Sequence, residues 1–282
     1  MPNEKLVLVT GATGKQGGAT IRELLGKSGF KLRAMTRNPS SDAAKALAAK
    51  GVEVVAGDLD DAASLERAVD GAWGVFGVQN TWEAGVEKEE EQGKRLAKVA
   101  RDKGVQHFVY TSVGSAHKNT GIPHFDNKAR VEKTVKELGF PSHFILRPVF
   151  FMENLASPWF LNGDNLVTAM KPTTKLQMIA SADIGKFAAR AFIDADKLKN
   201  VEVDVAGDAV TMVEAAAAVS ELVGRTITFQ PIPIEAVRQN SDDFAKMLEW
   251  FEAVGYSADI PSLEPRFGVK PLKLTEWVRQ QR

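Results

Sequence analysis

Apolar positions over the first 150 residues fall into two alternating rhythms. The short runs KLVLVT (5–10), KLRAMT (31–36), VEVVAG (52–57), WGVFGV (73–78), HFVYTS (107–112) and HFILRP (143–148) read as strands. Between them, TIRELLGKSG, SDAAKALAAKG, AASLERAVDG, EKEEEQGKRLAKVARDKG and NKARVEKTVKELG carry helical spacing, and several end in Gly, as helices commonly do. Strand and helix in regular succession predict βαβ units. Right-handed crossovers wind such units into an α/β fold with a doubly wound parallel sheet. The acidic run Glu87 to Glu91 fits the solvated opening turns of a long helix, where acids complement the dipole.

After Asn154 the rhythm breaks. KLQMIASADIGKFAARAFID predicts a short strand and a helix with Ile184, Phe187, Ala188 and Ala191 on one face. The stretch from Val201 to Pro233 reads as strand, helix, strand, with Thr211 and Glu214 spaced as a capping box. AVRQNSDDFAKMLEWFEAVG and LTEWVRQQ read as further amphipathic helices. The expected organisation is a nucleotide-binding domain over residues 1–153 and a smaller α/β C-terminal lobe over 154–282, some of whose segments return to the main sheet.

The 36 basic and 36 acidic residues balance, so no net field invites nucleic acid or an anionic membrane. Apolar stretches stay far short of the ~18 residues of a membrane span, and the N-terminus carries no secretory pattern, which points to a cytoplasmic protein. Absence of cysteine removes thiolate chemistry and disulfides. The histidines His107, His117, His124 and His143 show no metal-ligand spacing, so no metal site is expected.

Gly11, Gly14 and Gly17 follow the first strand and open a helix. That context belongs to a dinucleotide site: one glycine makes the tight turn, one lets backbone approach a pyrophosphate, and one lets helix pack on strand. A Rossmann sheet follows. The second strand ends at Thr36 and Arg37 with no acid to hold a ribose hydroxyl. Arg37, with Lys15 in the loop, instead suits a 2′-phosphate, so NADP(H) is preferred over NAD(H). The spacing in VTGATGKQGG resembles the T-G-A-x-G-x-x-G fingerprint of atypical short-chain dehydrogenases/reductases, and that resemblance places the adenine at Asp58.

Classical members of that superfamily use Tyr-x-x-x-Lys, but Gly114 stands four residues after Tyr110 and Ile260 four after Tyr256, so the motif is absent. In its place PHFDNKARVEK puts His124 and Lys128 four apart. Lys128 resembles the superfamily lysine, and His124 is either a proton donor in place of the tyrosine or a surface residue beside a helix start. HFDNK followed by VE, then LRPVFFMENL, MIASADIGKFAARAF, VAGDAVTMVEAA and LTEWVRQ together resemble the NmrA-like family over essentially the whole chain. The resemblance implies cofactor contacts from Gly11, Ala12, Thr13, Gly14, Lys15, Gln16 and Gly17, from Arg37, Asp58 and Leu59, and from Gln79, Asn80 and Thr81. It extends them to Lys128 and to the turn Phe151, Met152, Glu153 and Asn154. Glu91 stands where a sensor relative has a cofactor-contacting lysine.

The plant isoflavone reductase-like branch also lacks the tyrosine, and its lysine acts as acid or base. Lys128 takes that role if burial and a neighbouring positive charge loosen its proton. Ser112 is then a helper, or else a strand-end hydroxyl satisfying local backbone. Phe150, Phe151, Trp159 and Phe160 line an apolar pocket or fill the core. Two functions follow: an NADPH-dependent reductase of a small carbonyl, quinone or aromatic substrate, or a non-catalytic NADP(H) redox sensor acting on a regulatory protein partner.

Overall fold

The computed structural model of the chain describes residues 4–281. In order, the elements are β1 (Lys5–Val9), α1 (Lys15–Leu24), β2 (Phe30–Thr36), α2 (Asp42–Ala48), β3 (Glu53–Ala56), α3 (Ala62–Val69), β4 (Gly74–Gly77), the one-turn α4 (Thr81–Ala84), α5 (Val86–Asp102), β5 (His107–Thr111), α6 (Pro123–Glu137) and β6 (Ser142–Pro148). After them come β7 (Phe150–Phe151), β8 (Leu161–Asn162), β9 (Asn165–Thr168), β10 (Lys175–Ile179), α7 (Ser181–Ile193), β11 (Val201–Val205), β12 (Asp208–Thr211), α8 (Met212–Val223), β13 (Thr228–Pro231), α9 (Ile234–Arg238), α10 (Asp242–Ala253), α11 (Ile260–Phe267) and α12 (Leu274–Gln280). Two compact units divide the chain. The first takes residues up to 112 with 127–146 and 184–203, and the second takes 113–126, 147–183 and the residues from 204 onward. Where the sequence suggested one boundary after residue 153 with returning segments, the units interleave, and residues 184–203 form such a return.

The first unit is built on a seven-stranded sheet in the order β11-β6-β5-β4-β1-β2-β3. β1 pairs in parallel with both β2 and β4, so the winding reverses between β1 and β4. All six strands anticipated from apolar runs are present. Leu8, Leu65, Val75, Leu96, Phe108 and Val131 belong to a core cluster with essentially no exposed surface. The predicted face of α7 is correct, since Ile184, Phe187, Ala188 and Ala191 are all fully buried. Gly185 lets that helix approach α1 closely, because a Cβ on it would lie 2.5 Å from the backbone of Ala19.

In the second unit, β12-β10-β7 and β13-β9-β8 form two three-stranded sheets around a separate core that includes Phe125, Met178, Val219, Phe251 and Trp277. The capping box predicted at Thr211 and Glu214 is present at the start of α8. Two expectations need correction. The strand expected after Val201 is two, β11 and β12, broken at Gly207, whose missing side chain leaves room for the Leu272 carbonyl, 2.2 Å from where a Cβ would stand. The long helix expected over 236–255 is split into α9 and α10, because the Ser241 hydroxyl accepts from the Phe244 N–H and starts a new helix. A further helix, α11, for which the sequence raised no expectation, holds two prolines, Pro261 and Pro265.

His107 opens β5 fully buried, stacked on Trp73 with centroids 5.7 Å apart and edge-on to Phe192. Burial lowers its pKa to about 4. The folded protein thus keeps this ring neutral where the unfolded chain binds a proton, and stability drains away as pH falls from 6.5 toward 4. A displacement of that size corresponds to about 3 kcal/mol. Urea unfolding between pH 4 and 7.5 should show this slope in the wild type and a much flatter one in His107→Gln.

Candidate functional site

Of the expected site residues in the first unit, all but Lys128 follow the carboxyl end of a sheet strand: Gly11–Gly17 after β1, Arg37 after β2, Asp58 and Leu59 after β3, Gln79–Thr81 after β4 and Ser112 after β5. In doubly wound sheets this edge, at the reversal of strand order, is where ligands bind.

The glycines have separate reasons to be glycine. Gly11 has φ +56°, and a Cβ there would come within 2.6 Å of the Val78 side chain. A Cβ on Gly17 would lie 2.4 Å from the Gly11 carbonyl oxygen, so only glycine lets α1 start this close to β1. Gly14 caps α1 without any side-chain hydrogen bond, and the first turn holds no acid. The helix N-terminus is therefore left as a cradle of uncapped N–H groups at its positive end, which suits an anion. Thr111 Oγ1 donates to Gln16 Oε1 at 2.6 Å, tying this helix to β5. The Val78 N–H donates to Thr10 Oγ1 at 2.9 Å, fixing the segment after β4 against β1.

Arg37 is two-thirds exposed and ion-paired with Glu83 on α4. The Asp58 carboxylate accepts from the Asp60 N–H at 2.9 Å, closing a tight turn. One face of α5 holds that turn in place. Arg95 donates to the Leu59 carbonyl at 2.6 Å, while Lys88 and Gln92 bind the Asp60 carboxylate at 2.9 and 3.1 Å. The Lys88 hydrogen bond is the main reason that Asp60 stays ionised below the usual carboxylate range.

Glu89, expected to be solvated with the rest of its acidic run, is buried. Its side chain is 1% exposed, and Lys128, 12% exposed, donates to its Oε1 at 2.6 Å. Oε2 accepts from Asn127 Nδ2 at 2.8 Å and from the Thr81 hydroxyl. Burial raises this carboxyl, but the Lys128 charge and the three hydrogen bonds outweigh it and hold the group below its ordinary value. The charge beside Lys128 is thus negative. An acid–base lysine loosened by a positive neighbour is not what the structure contains.

Two buried polar side chains at the ends of β4 and β5 are without partners. The Gln79 amide is 7% exposed and neither its nitrogen nor its oxygen makes a hydrogen bond. Gly93 leaves it room, since a Cβ there would lie 3.2 Å from Gln79 Oε1. Ser112 Oγ is likewise buried and unpartnered, so it does not serve local backbone. Buried polar groups normally find partners, so each one that does not calls for an explanation. Tyr110 is fully buried and Tyr256 partly so, and burial pushes their hydroxyls well above the ordinary value.

His124 and the Phe151–Asn154 turn belong to the second unit. His124 is no surface residue: it is 6% exposed, and Nδ1 lies 2.7 Å from the Asp243 carboxylate, which orients the ring. Glu153 Oε1 accepts from the Ser181 N–H and hydroxyl at 2.9 and 2.6 Å, while its Oε2 is buried without a partner. Met152 is fully buried, and Asn154 O accepts from the Ser157 hydroxyl at 2.7 Å. Phe150 and Phe160 pack edge-to-face in the core, whereas Trp159 is 72% exposed. These four aromatics therefore do not share one apolar lining.

The model of the NmrA-like family matches residues 3–280. The chain belongs to the NmrA-like family. An NmrA-like family domain-containing protein of Dictyostelium discoideum is 28% identical over 268 residues, 89% of this chain and 88% of that protein. The NmrA-like family domain-containing oxidoreductase hkm9 of Aspergillus hancockii is 27% identical over 81% of this chain and 75% of its own length. Among solved structures, the NADPH-dependent quinone oxidoreductase QOR2 of Escherichia coli, complexed with NADPH, superposes with a TM-score of 0.80 at 26% identity, covering 97% of this chain and 99% of that one.

Three partners of the expected residues were missed from sequence: Glu89 beside Lys128 and Glu83 beside Arg37 in the first unit, and Asp243 beside His124 in the second. Gly93 was the available signal for the first, because a glycine inside a long helix marks a close approach. Replacing Glu89 tests the network. Glu89→Ala leaves the Lys128 ammonium buried without a counter-charge and should cost about 3–5 kcal/mol in urea unfolding, and Glu89→Gln markedly less. The Glu89 contribution is complete above its ordinary pKa of 4.5 and is lost as pH falls below it, so the two proteins' stabilities should converge on acidification.

Proposed function

We infer that this protein is an NADPH-dependent reductase of a small acceptor, with a quinone, carbonyl or aromatic compound as the substrate class. The observation that carries the reading is the Gln79 amide, buried with both ends unpartnered, after β4 on the same strand edge as the uncapped glycine cradle. The quinone oxidoreductase structure and the oxidoreductase relative support the choice of reaction.

The residues present fit a dinucleotide. The first turn of α1, with Lys15, would hold the pyrophosphate, and Arg37 would hold the 2′-phosphate through its planar fork. The Asp58–Leu59 turn would flank the adenine. Gln79, Thr81 and Lys128 would serve the nicotinamide side, where the Gln79 amide gains the partners it lacks. When bound, the reduced nicotinamide supplies a hydride.

The protein's own contribution is then orientation rather than proton donation. Lys128 is tied to Glu89 as an ammonium, and neither tyrosine hydroxyl is placed or tuned to give up a proton. Ser112 offers a free hydroxyl at the strand edge to orient an acceptor oxygen. Such a site suits an acceptor whose reduced form takes its proton from water, as a hydroquinone does. His124, held by Asp243, has no part in this reading.

NADPH oxidation against a panel of quinones and aldehydes tests it, with NADPH affinity measured in parallel by nicotinamide fluorescence. Ser112→Ala should lower kcat about tenfold with unchanged NADPH affinity, the size of one lost hydrogen bond to a polar group. Lys128→Ala should weaken NADPH binding itself. Tight NADPH binding without turnover on any acceptor would instead favour the sensor.

A further inference from the structure

Arg37 stands where a 2′-phosphate would be read, and the structure shows what holds it meanwhile. Its guanidinium pairs with Glu83, with both side chains more than half exposed. Nothing local makes this contact necessary. The turn that follows Arg37 is closed by its own side chains, with the Asn38 N–H donating to Thr36 Oγ1 and the Ser40 N–H and hydroxyl donating to Asn38 Oδ1. Glu83 reaches Arg37 from a separately anchored element. In α4 the Asn80 carboxamide caps the Trp82 N–H, the Thr81 hydroxyl is pinned to buried Glu89, and Gly85 ends the turn with φ +85°.

We propose that Glu83 is a specificity-determining residue that competes with the 2′-phosphate for Arg37 and so narrows the preference for NADPH over NADH. The inference rests on the cofactor reading above. A phosphate carrying close to two charges is a better bidentate partner for a guanidinium than one exposed carboxylate, so NADPH displaces Glu83 from Arg37. The displacement costs part of the binding energy, and the freed carboxylate stays near a like charge. NADH makes no such demand. Its bare ribose offers a hydroxyl that can donate to a carboxylate, the service an acid at the end of the second strand usually performs. Here that acid is missing from β2 and is supplied by α4.

The test is equilibrium binding of NADPH and NADH to the full chain, read by nicotinamide fluorescence for the wild type, Glu83→Gln and Arg37→Ala. Thermal melts establish that each variant is folded. In Glu83→Gln the ratio of the Kd for NADH to that for NADPH should rise about fivefold, the factor set by an exposed ion pair, with NADPH binding tighter and NADH no tighter. An unchanged ratio in Glu83→Gln, with the ratio collapsing toward one in Arg37→Ala, overturns the role of Glu83 and leaves Arg37 as the phosphate contact. A ratio unchanged by either variant overturns both assignments. Failure of the wild type to bind either dinucleotide overturns the cofactor reading on which they rest.

Discussion

Taking a carboxylate out of water is costly, and Glu89 shows what must surround one for the fold to tolerate it. Its desolvation is offset by an ammonium and by hydrogen bonds from a hydroxyl and an amide, and two of these donors, Lys128 and Thr81, belong to the proposed cofactor site. Glu89 also lies in the first turn of α5, where the helix dipole favours an acid. The same helix turns Lys88, Gln92 and Arg95 toward the turn after β3. α5 is therefore the element that aligns three otherwise separate segments: the turn at Asp58, the segment from Gln79 to Thr81, and the start of α6. Disturbing its register by one residue would release all three together.

This constraint explains the division of labour on the strand edge. Groups that are fully engaged, such as Thr10, Thr111, Gln16 and Glu89, act as scaffold. Gln79 and Ser112 have side-chain atoms left without partners, and the proposed reading sets the cofactor and acceptor against them. Lys128 belongs to the first class in its charge state and to the second in its position. The lysine at this place is held by a carboxylate from another helix.

How far the sequence reaches follows from the range of each interaction. The six parallel strands, the glycine cradle and the face of α7 depend on local periodicity or on close approach within one βα unit, and all are legible in the residues. The burial of Glu89 depends on Lys128, 39 positions later in the chain, so an acid in a run of acids reads as solvated. The pairing of Arg37 with Glu83 spans a still longer stretch of chain and leaves no local trace. In the second unit the split between α9 and α10 had a signal in Ser241 followed by two aspartates. The break at Gly207 had less, since the carbonyl it accommodates comes from Leu272 near the other end of that unit.

The chain changes units five times, after residues 112, 126, 146, 183 and 203. During synthesis, the seven-stranded sheet therefore cannot be completed until β11 has left the ribosome, long after the dinucleotide-binding half has emerged. Until then β6 presents an open edge, and an open parallel edge invites pairing with other chains. When β11 arrives it becomes the edge in turn, and its five residues leave a shorter row of unpaired backbone groups than the seven of β6.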